Sequence, residues 1–323
     1  MLGSTLLAVS RNPLARKAVT ALPPTRRVVD RFVAGEATAD AVAAVDRLTR
    51  SGLMVTIDHL GEEVRDTDAA VTTTKAYVEL LDALAPLGLG HRAEVSVKLS
   101  AVGQALDDSM ALEHAREICE AALSAGATVT LDMEDHTTVD STLDILRDLR
   151  ADFSDVGVAI QAYLFRSEAD CHDLRDSRVR LVKGAYREPA SVAYQKKNDV
   201  DLAYVRCLKV LMAGAGHPMV ATHDDRLISI AELLADRHDR ARDTYEYQML
   251  YGIRTDKQQA LANSGALVRV YVPYGDDWYG YFMRRLAERP ANVAFFLRSL
   301  GVGTLPLVNK RDSNSSHTGR RTS

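Results

Sequence analysis

The sequence has little cysteine: Cys119, Cys171 and Cys207 stand far apart among 323 residues. An odd, irregularly spaced set forms neither a disulfide framework nor a CxxC metal knuckle, and it suits a reducing compartment. Basic charge is not in excess either, with 40 Lys and Arg against 44 Asp and Glu and a net charge of -4, which argues against nucleic acid as the main partner. No apolar run approaches the roughly 20 residues that cross a bilayer. The short apolar stretch near Met1 has no basic residue ahead of it and no small-residue cleavage pattern, so no secretory signal is read. The expected location is the cytoplasm, with peripheral contact at the inner membrane face. What is present is material for a core, since 46% of residues are hydrophobic and 26% charged, a balance that folds rather than stays disordered.

Short β-branched runs recur along the chain: MVTIDHL from 54, EVSVKLS from 94, TVTLDME from 128, VGVAIQAY from 156, VRLVKGAY from 179, PMVATHD from 218, YEYQML from 245 and LVRVYVPY from 267. Their spacing of about 30 residues is that of a strand, a crossover helix and a return. Eight such units predict an α/β fold, a (β/α)8 TIM-type barrel. A doubly wound open sheet competes, but GAGHPM from 214 and GVGTLP from 301 lack the third glycine of its fingerprint. The barrel is expected over residues 51–308. Before it, residues 1–50 read as helical, with Thr38 capping a helix that carries Val42, Val45 and Leu48 on one stripe. After it, residues 309–323 contain no apolar side chain and read as a disordered tail.

Alternate residues of a barrel strand face the helices and the lumen. In EVSVKLS the apolar set is Val95, Val97 and Leu99, which leaves Ser96, Lys98 and Ser100 inward; in TVTLDME the inward set is Thr130, Asp132 and Glu134. The same parity turns Asp58, Gln161, Arg180, Glu246, Gln248, Arg269 and Tyr271 inward. Lys98, Arg180 and Arg269 against Asp58, Asp132 and Glu246 predict cross-strand ion pairs, because a buried unpaired ion costs several kcal/mol. These could be satisfied core ions. Lys98 and Asp132, however, lie at carboxyl strand ends, where barrel enzymes keep their chemistry.

After the last strand, DDWYGYFMRRLAE from Asp276 reads as a helix in which Tyr281, Arg284 and Glu288 share a face with Arg285 beside it. This is either an exposed basic helix or a carboxylate clamp of two guanidinium groups. His59 and His223 stand near strand ends, yet there is no HxH, HExxH or Cys/His cluster, so no metal is expected.

With these motifs together, the chain resembles the flavin-dependent proline dehydrogenases in their monofunctional bacterial form. The matching stretches are HLGE from His59, VSVKLS around Lys98, LDMED from Leu131, IQAY from Ile160, RLVKGAY from Arg180, ATH from Ala221, YQMLYGI from Tyr247, and Tyr281 with Arg284, Arg285, Leu286, Glu288 and Asn292. The resemblance implies a distorted barrel with FAD at its carboxyl face and the last helix, bearing Arg284 and Arg285, over that face. It implies oxidation of L-proline to Δ1-pyrroline-5-carboxylate by hydride transfer to flavin N5, the first step of proline catabolism, with a membrane quinone as electron acceptor and a separate pyrroline-5-carboxylate dehydrogenase to take the product.

By the same resemblance, Lys98, Arg284 and Arg285 hold the substrate carboxylate, and Tyr271, Tyr281 and Leu250 surround its ring. Asp132, Gln161, Arg180, Lys183, Gly184, Ala185, Tyr186, Thr222, His223 and Glu288 fall around the cofactor, and Glu62 is a lid residue that pairs with one of the arginines. The residues alone leave open a Schiff-base lyase working through Lys98 or Lys183 and a barrel kept as a binding module.

Overall fold

The computed structural model describes residues 28–61 and 64–288, the last three of these by backbone alone. Each β-branched run is a strand: β1 Met54–His59, β2 Ala93–Val97, β3 Thr128–Leu131, β4 Gly157–Gln161, β5 Arg178–Val182, β6 His217–Ala221, β7 Glu246–Leu250 and β8 Val268–Tyr274. Every neighbouring pair is parallel, and β8 returns to pair with β1, so the sheet closes in chain order. The (β/α)8 barrel expected from the spacing is the fold. Residues 29–283 form one compact unit, to which the described residues 284–288 do not belong.

The helices are α1 Thr38–Arg50, α2 Thr67–Leu84, α3 Asp108–Ala125, α4 Val139–Arg150, α5 Ser167–Asp173, α6 Lys197–Ala213, α7 Asp225–Arg237, α8 Thr255–Asn263 and α9 Trp278–Glu288. Local chemistry starts several of them. Asp66 accepts the Ala69 N–H at 2.9 Å ahead of α2, Asp107 caps α3, and Asp224 accepts the Arg226 N–H at 3.1 Å ahead of α7, each satisfying a donor that the first turn leaves free. The helices bury one stripe on the outer wall of the barrel; on α3 it is Ala111, Ala115, Ile118, Cys119 and Ala122, the three-to-four-residue period of an amphipathic helix. Facing them are the outward strand residues Val55, Ile57, Val95, Val97, Val129, Leu131, Val179 and Leu181. The three cysteines are buried and unbridged.

One local expectation is corrected. Thr38 is the first residue of α1, and the cap is made by Asp40, whose carboxylate accepts the Ala37 N–H at 3.1 Å. The buried stripe is Ala41, Ala44, Val45 and Thr49, with Val42 and Leu48 on its partly buried margins, because a helix laid on strands at short range selects alanine for the closest approach.

The segment before α1 lies along the carboxyl end of β8: Ala34 donates to the Pro273 carbonyl at 2.9 Å and Gly275 to the Gly35 carbonyl at 3.0 Å. Gly252, after β7, has φ +69, and a Cβ there would stand 1.7 Å from the Arg31 carbonyl oxygen; only glycine permits that approach. The helix α9 starts just past the carboxyl end of β8, where the Trp278 indole donates to Glu36 at 3.0 Å and Phe282 meets Phe32. Among the described residues no helix is long and apolar enough to cross a membrane. The residues of the expected tail and most of the expected N-terminal helical segment lie outside the described residues.

Candidate active site

The lumen is polar, as the parity predicts, and its ions are paired. Arg269 donates to Glu246 at 2.7 Å near the amino-terminal end, and Arg180 donates to Glu94 at 2.7 Å and to Asp132 at 2.6 Å. At the carboxyl end Lys98 reaches Asp58 at 2.7 Å and stands 3.9 Å from Asp132. These groups are almost wholly withdrawn from water, with Asp58 1% and Arg180 3% exposed, so each pair is a requirement of burial rather than a surface ornament.

The strand parity missed two members. Glu94 lies two residues before Ser96 and Arg178 two before Arg180, so each has the inward parity of its strand, but Glu94 opens its run and Arg178 stands one residue ahead of its own. Glu94 ties the two arginines together, accepting from Arg178 at 2.8 Å and from Arg180. Burial alone would raise its pKa, but Arg269, Arg180 and Arg178 hold its carboxyl down at about 2. Burial likewise works against the Glu246 carboxylate, and Arg269 and His217 overcome it, leaving Glu246 well below the usual range.

Four of the expected site residues form one cluster at the carboxyl mouth. Lys98 follows β2 directly and Asp132 follows β3, so both leave their strands on the inward side. Asp132 accepts from the Ser96 hydroxyl at 2.8 Å, from Arg180, and from the Tyr271 hydroxyl at 2.8 Å, while the Arg180 guanidinium lies 5.4 Å from the centre of the Tyr271 ring. Burial, then the charges of Asp132 and Asp58, raises the Tyr271 hydroxyl well above its ordinary value, so it stays a proton donor. For Asp58, burial outweighs the Lys98 ammonium and raises the carboxyl. Four of the five N–H groups of Arg180 are directed at Gln248, Ser96, Asp132 and Glu94, which fixes the guanidinium plane.

A second group gathers over β4 and β5. The Gln161 amide donates to the Glu134 carbonyl at 2.6 Å and its oxygen accepts the Ala185 N–H at 3.1 Å, so one side chain fixes the loops after β3 and β5. Glu134 in turn accepts from the backbone and hydroxyl of Ser100 at 3.0 and 2.6 Å. Tyr186 donates its N–H to the Tyr163 hydroxyl at 3.2 Å. Gly184 has φ +127, and a Cβ there would stand 2.5 Å from the Tyr163 ring.

The ends of β6 and β7 form a third. Lys183 lies 2.6 Å from Asp201 and 3.6 Å from Asp224, the cap of α7. The Thr222 hydroxyl accepts the Asp224 N–H at 3.1 Å, and His223 Nε2 accepts the Leu250 N–H at 3.0 Å, which places the ring proton on Nδ1. Arg226 reaches Asp224 at 2.9 Å, and this pair holds the Asp224 carboxyl far below its usual range.

Tyr281 is 6% exposed on α9. Arg284 and Arg285 continue that helix but fall outside the compact unit of residues 29–283, and Glu62 and the Glu288 side chain lie outside the described residues. Among the described residues no group of three His, Cys, Asp or Glu side chains is arranged to hold a metal.

The sequence model of the family described as proline dehydrogenase matches residues 41–298. A curated protein named proline dehydrogenase 1 from Bacillus subtilis (strain 168) is 41% identical over 302 residues, covering 93% of this chain and 99% of that protein. One named proline dehydrogenase from Deinococcus radiodurans is 42% identical over 280 residues, 84% of this chain and 90% of that one. Among solved structures, proline utilization A from Bdellovibrio bacteriovorus inactivated by N-propargylglycine has a TM-score of 0.77 at 25% identity, over 84% of this chain and 34% of that chain.

Proposed function

The chain belongs to the proline dehydrogenase family, and from that premise we propose that it oxidises L-proline to Δ1-pyrroline-5-carboxylate with FAD as its cofactor, as the first step of proline catabolism. The observation that carries this reading is the single buried cluster of Lys98, Asp132, Arg180 and Tyr271 at the carboxyl mouth. It is a fixed set of charges at the face where barrels keep their chemistry, and it is larger than a lyase lysine or a bare binding cup needs.

The residues present fit a flavin dinucleotide. Lys183 is a partly exposed cation after β5, and beside it Gly184 leaves the backbone bare at φ +127, a cation and an open main chain of the kind that lets a phosphate approach closely. In this reading Lys183, Gly184, Ala185, Tyr186, Thr222, His223 and Glu288 hold the dinucleotide, and Gln161, Arg180 and Asp132 stand around its ring. Bound there, the flavin supplies the hydride acceptor.

The chain's own residues do the rest. Lys98, Arg284 and Arg285 pin the proline carboxylate, and Tyr271, Tyr281 and Leu250 shape the space for the ring and exclude bulkier substituents. Glu62 closes the entrance by pairing with one arginine. Asp58 keeps the Lys98 ammonium in place between substrates. Electrons then leave to a membrane quinone reached from the cytoplasm by peripheral contact, and a separate pyrroline-5-carboxylate dehydrogenase consumes the product.

The test is spectroscopic. The purified protein should be yellow, should bleach when titrated anaerobically with L-proline, should recover its colour on adding a soluble quinone, and should release FAD on denaturation. A colourless preparation inert toward proline would overturn the reading, and release of FMN would overturn the cofactor assignment.

A further inference from the structure

The face of the barrel opposite the proposed active site carries a cavity of about 300 Å³ at the amino-terminal ends of β5 and β6. Its lining includes Arg150, Ser177, Arg178 and His217. Two arginines line it with their hydrogen-bonding capacity incompletely used. Arg150, the last residue of α4, is half-buried and donates to the Ser177 hydroxyl, and among the described residues no carboxylate is within salt-bridge distance of it. Arg178 donates through Nη2 to Glu94 at 2.8 Å, but its Nε–H is buried and has no partner among the described residues.

A half-buried cation without a carboxylate and a buried N–H without an acceptor call for the same complement, an oxygen carrying negative charge. The two acidic residues of the lining, Asp155 and Asp176, are exposed; Asp155 attracts Arg150 through space without an ion-pair contact, and Asp176 is engaged by the Ala215 N–H at 2.9 Å. Two further acids at this end of the strands, Glu94 and Glu246, are already matched by Arg178, Arg180, Arg269 and His217.

We propose that this amino-terminal cavity is a binding site for a small oxyanion, the phosphate or carboxylate group of a small organic acid, held between Arg150 and Arg178. The site lies apart from the residues assigned to proline and flavin, and the inference stands on its own geometry. It is also joined to them: Arg178 shares Glu94 with Arg180, and Arg180 holds Asp132.

Calorimetric titration of the flavin-loaded full chain tests it, with the substrate pocket first saturated by a cyclic carboxylate lacking the ring nitrogen. Inorganic phosphate and succinate are the two probes, and the tighter one names the oxyanion. Saturable binding with a Kd of about 1 mM or tighter is expected. Arg150→Gln should weaken it about tenfold or more while leaving proline turnover in phosphate-free buffer unchanged. Arg178→Lys keeps a cation facing Glu94 but removes Nε, and should weaken binding to a similar extent with the melting temperature retained; if that variant does not fold, Arg150→Gln decides alone. No saturable binding of either probe, or binding that Arg150→Gln leaves unchanged, overturns the proposal.

Discussion

The Lys98 ammonium and the Asp58 carboxylate meet at 2.7 Å between β2 and β1, at 8% and 1% exposure. A pair so buried is worth little against an apolar replacement but much against the loss of one partner. Asp58→Asn and Lys98→Met are each expected to destabilise the fold by about 3 kcal/mol, and the double variant by clearly less than their sum. Urea unfolding of all four proteins checks this; additivity would mean that the two charges are not coupled.

Tyr271 donates to Asp132 at 2.8 Å, and burial keeps its hydroxyl protonated far above the ordinary range. Removing a hydrogen bond to a charged acceptor costs about 1.5–3 kcal/mol, so Tyr271→Phe should lower kcat/KM for proline by about tenfold or more. Because the hydroxyl does not ionise in the working range, the alkaline limb of the pH profile should be the same in the variant as in the parent. A displaced limb would make Tyr271 a titrating group.

Arg285→Met should raise the KM for proline by tens-fold or more while flavin content is unchanged, because one ion pair to a desolvated carboxylate is removed. Steady-state kinetics beside the visible spectrum separate the two readouts. An unchanged KM would remove this residue from the carboxylate clamp.

The buried acids set an acid limit on stability. Glu94 falls from 4.5 to about 2 in the folded chain, with Glu246 also displaced downward. A depressed carboxyl contributes its stability above the unfolded value and loses it as pH falls through the folded one. The urea midpoint should therefore drop between pH 4.5 and about 2, and Glu94→Gln should flatten that slope. A slope equal in both proteins would show that the acid limit lies elsewhere.

The barrel and its polar lumen were legible because both rest on two-residue alternation: Ser96 and Lys98 on β2, and Arg180 on β5, declare their side by their neighbours. Glu94 and Arg178 obey the same rule but sit at or just ahead of the start of a run, before enough apolar partners have accumulated to set the parity. The Asp40 cap of α1 was hidden because Thr38 offers the more familiar capping residue, and only backbone geometry shows which oxygen reaches the free N–H. That Gln161 joins the Glu134 carbonyl to the Ala185 N–H was also out of reach, since such a bridge depends on how two loops approach rather than on the residues that compose them.

A barrel filled with valine and leucine could slide one strand past its neighbour and still fill its middle. Here each guanidinium meets its carboxylates at a single stagger: shift β5 by two residues and Arg180 loses Asp132 and Glu94 together. The charged interior thus favours one closure over the others, since a misaligned ring would bury ions without partners. It also anchors the carboxyl mouth to the rest of the cylinder, so a site assembled from several strands keeps its spacing whether or not a ligand is there.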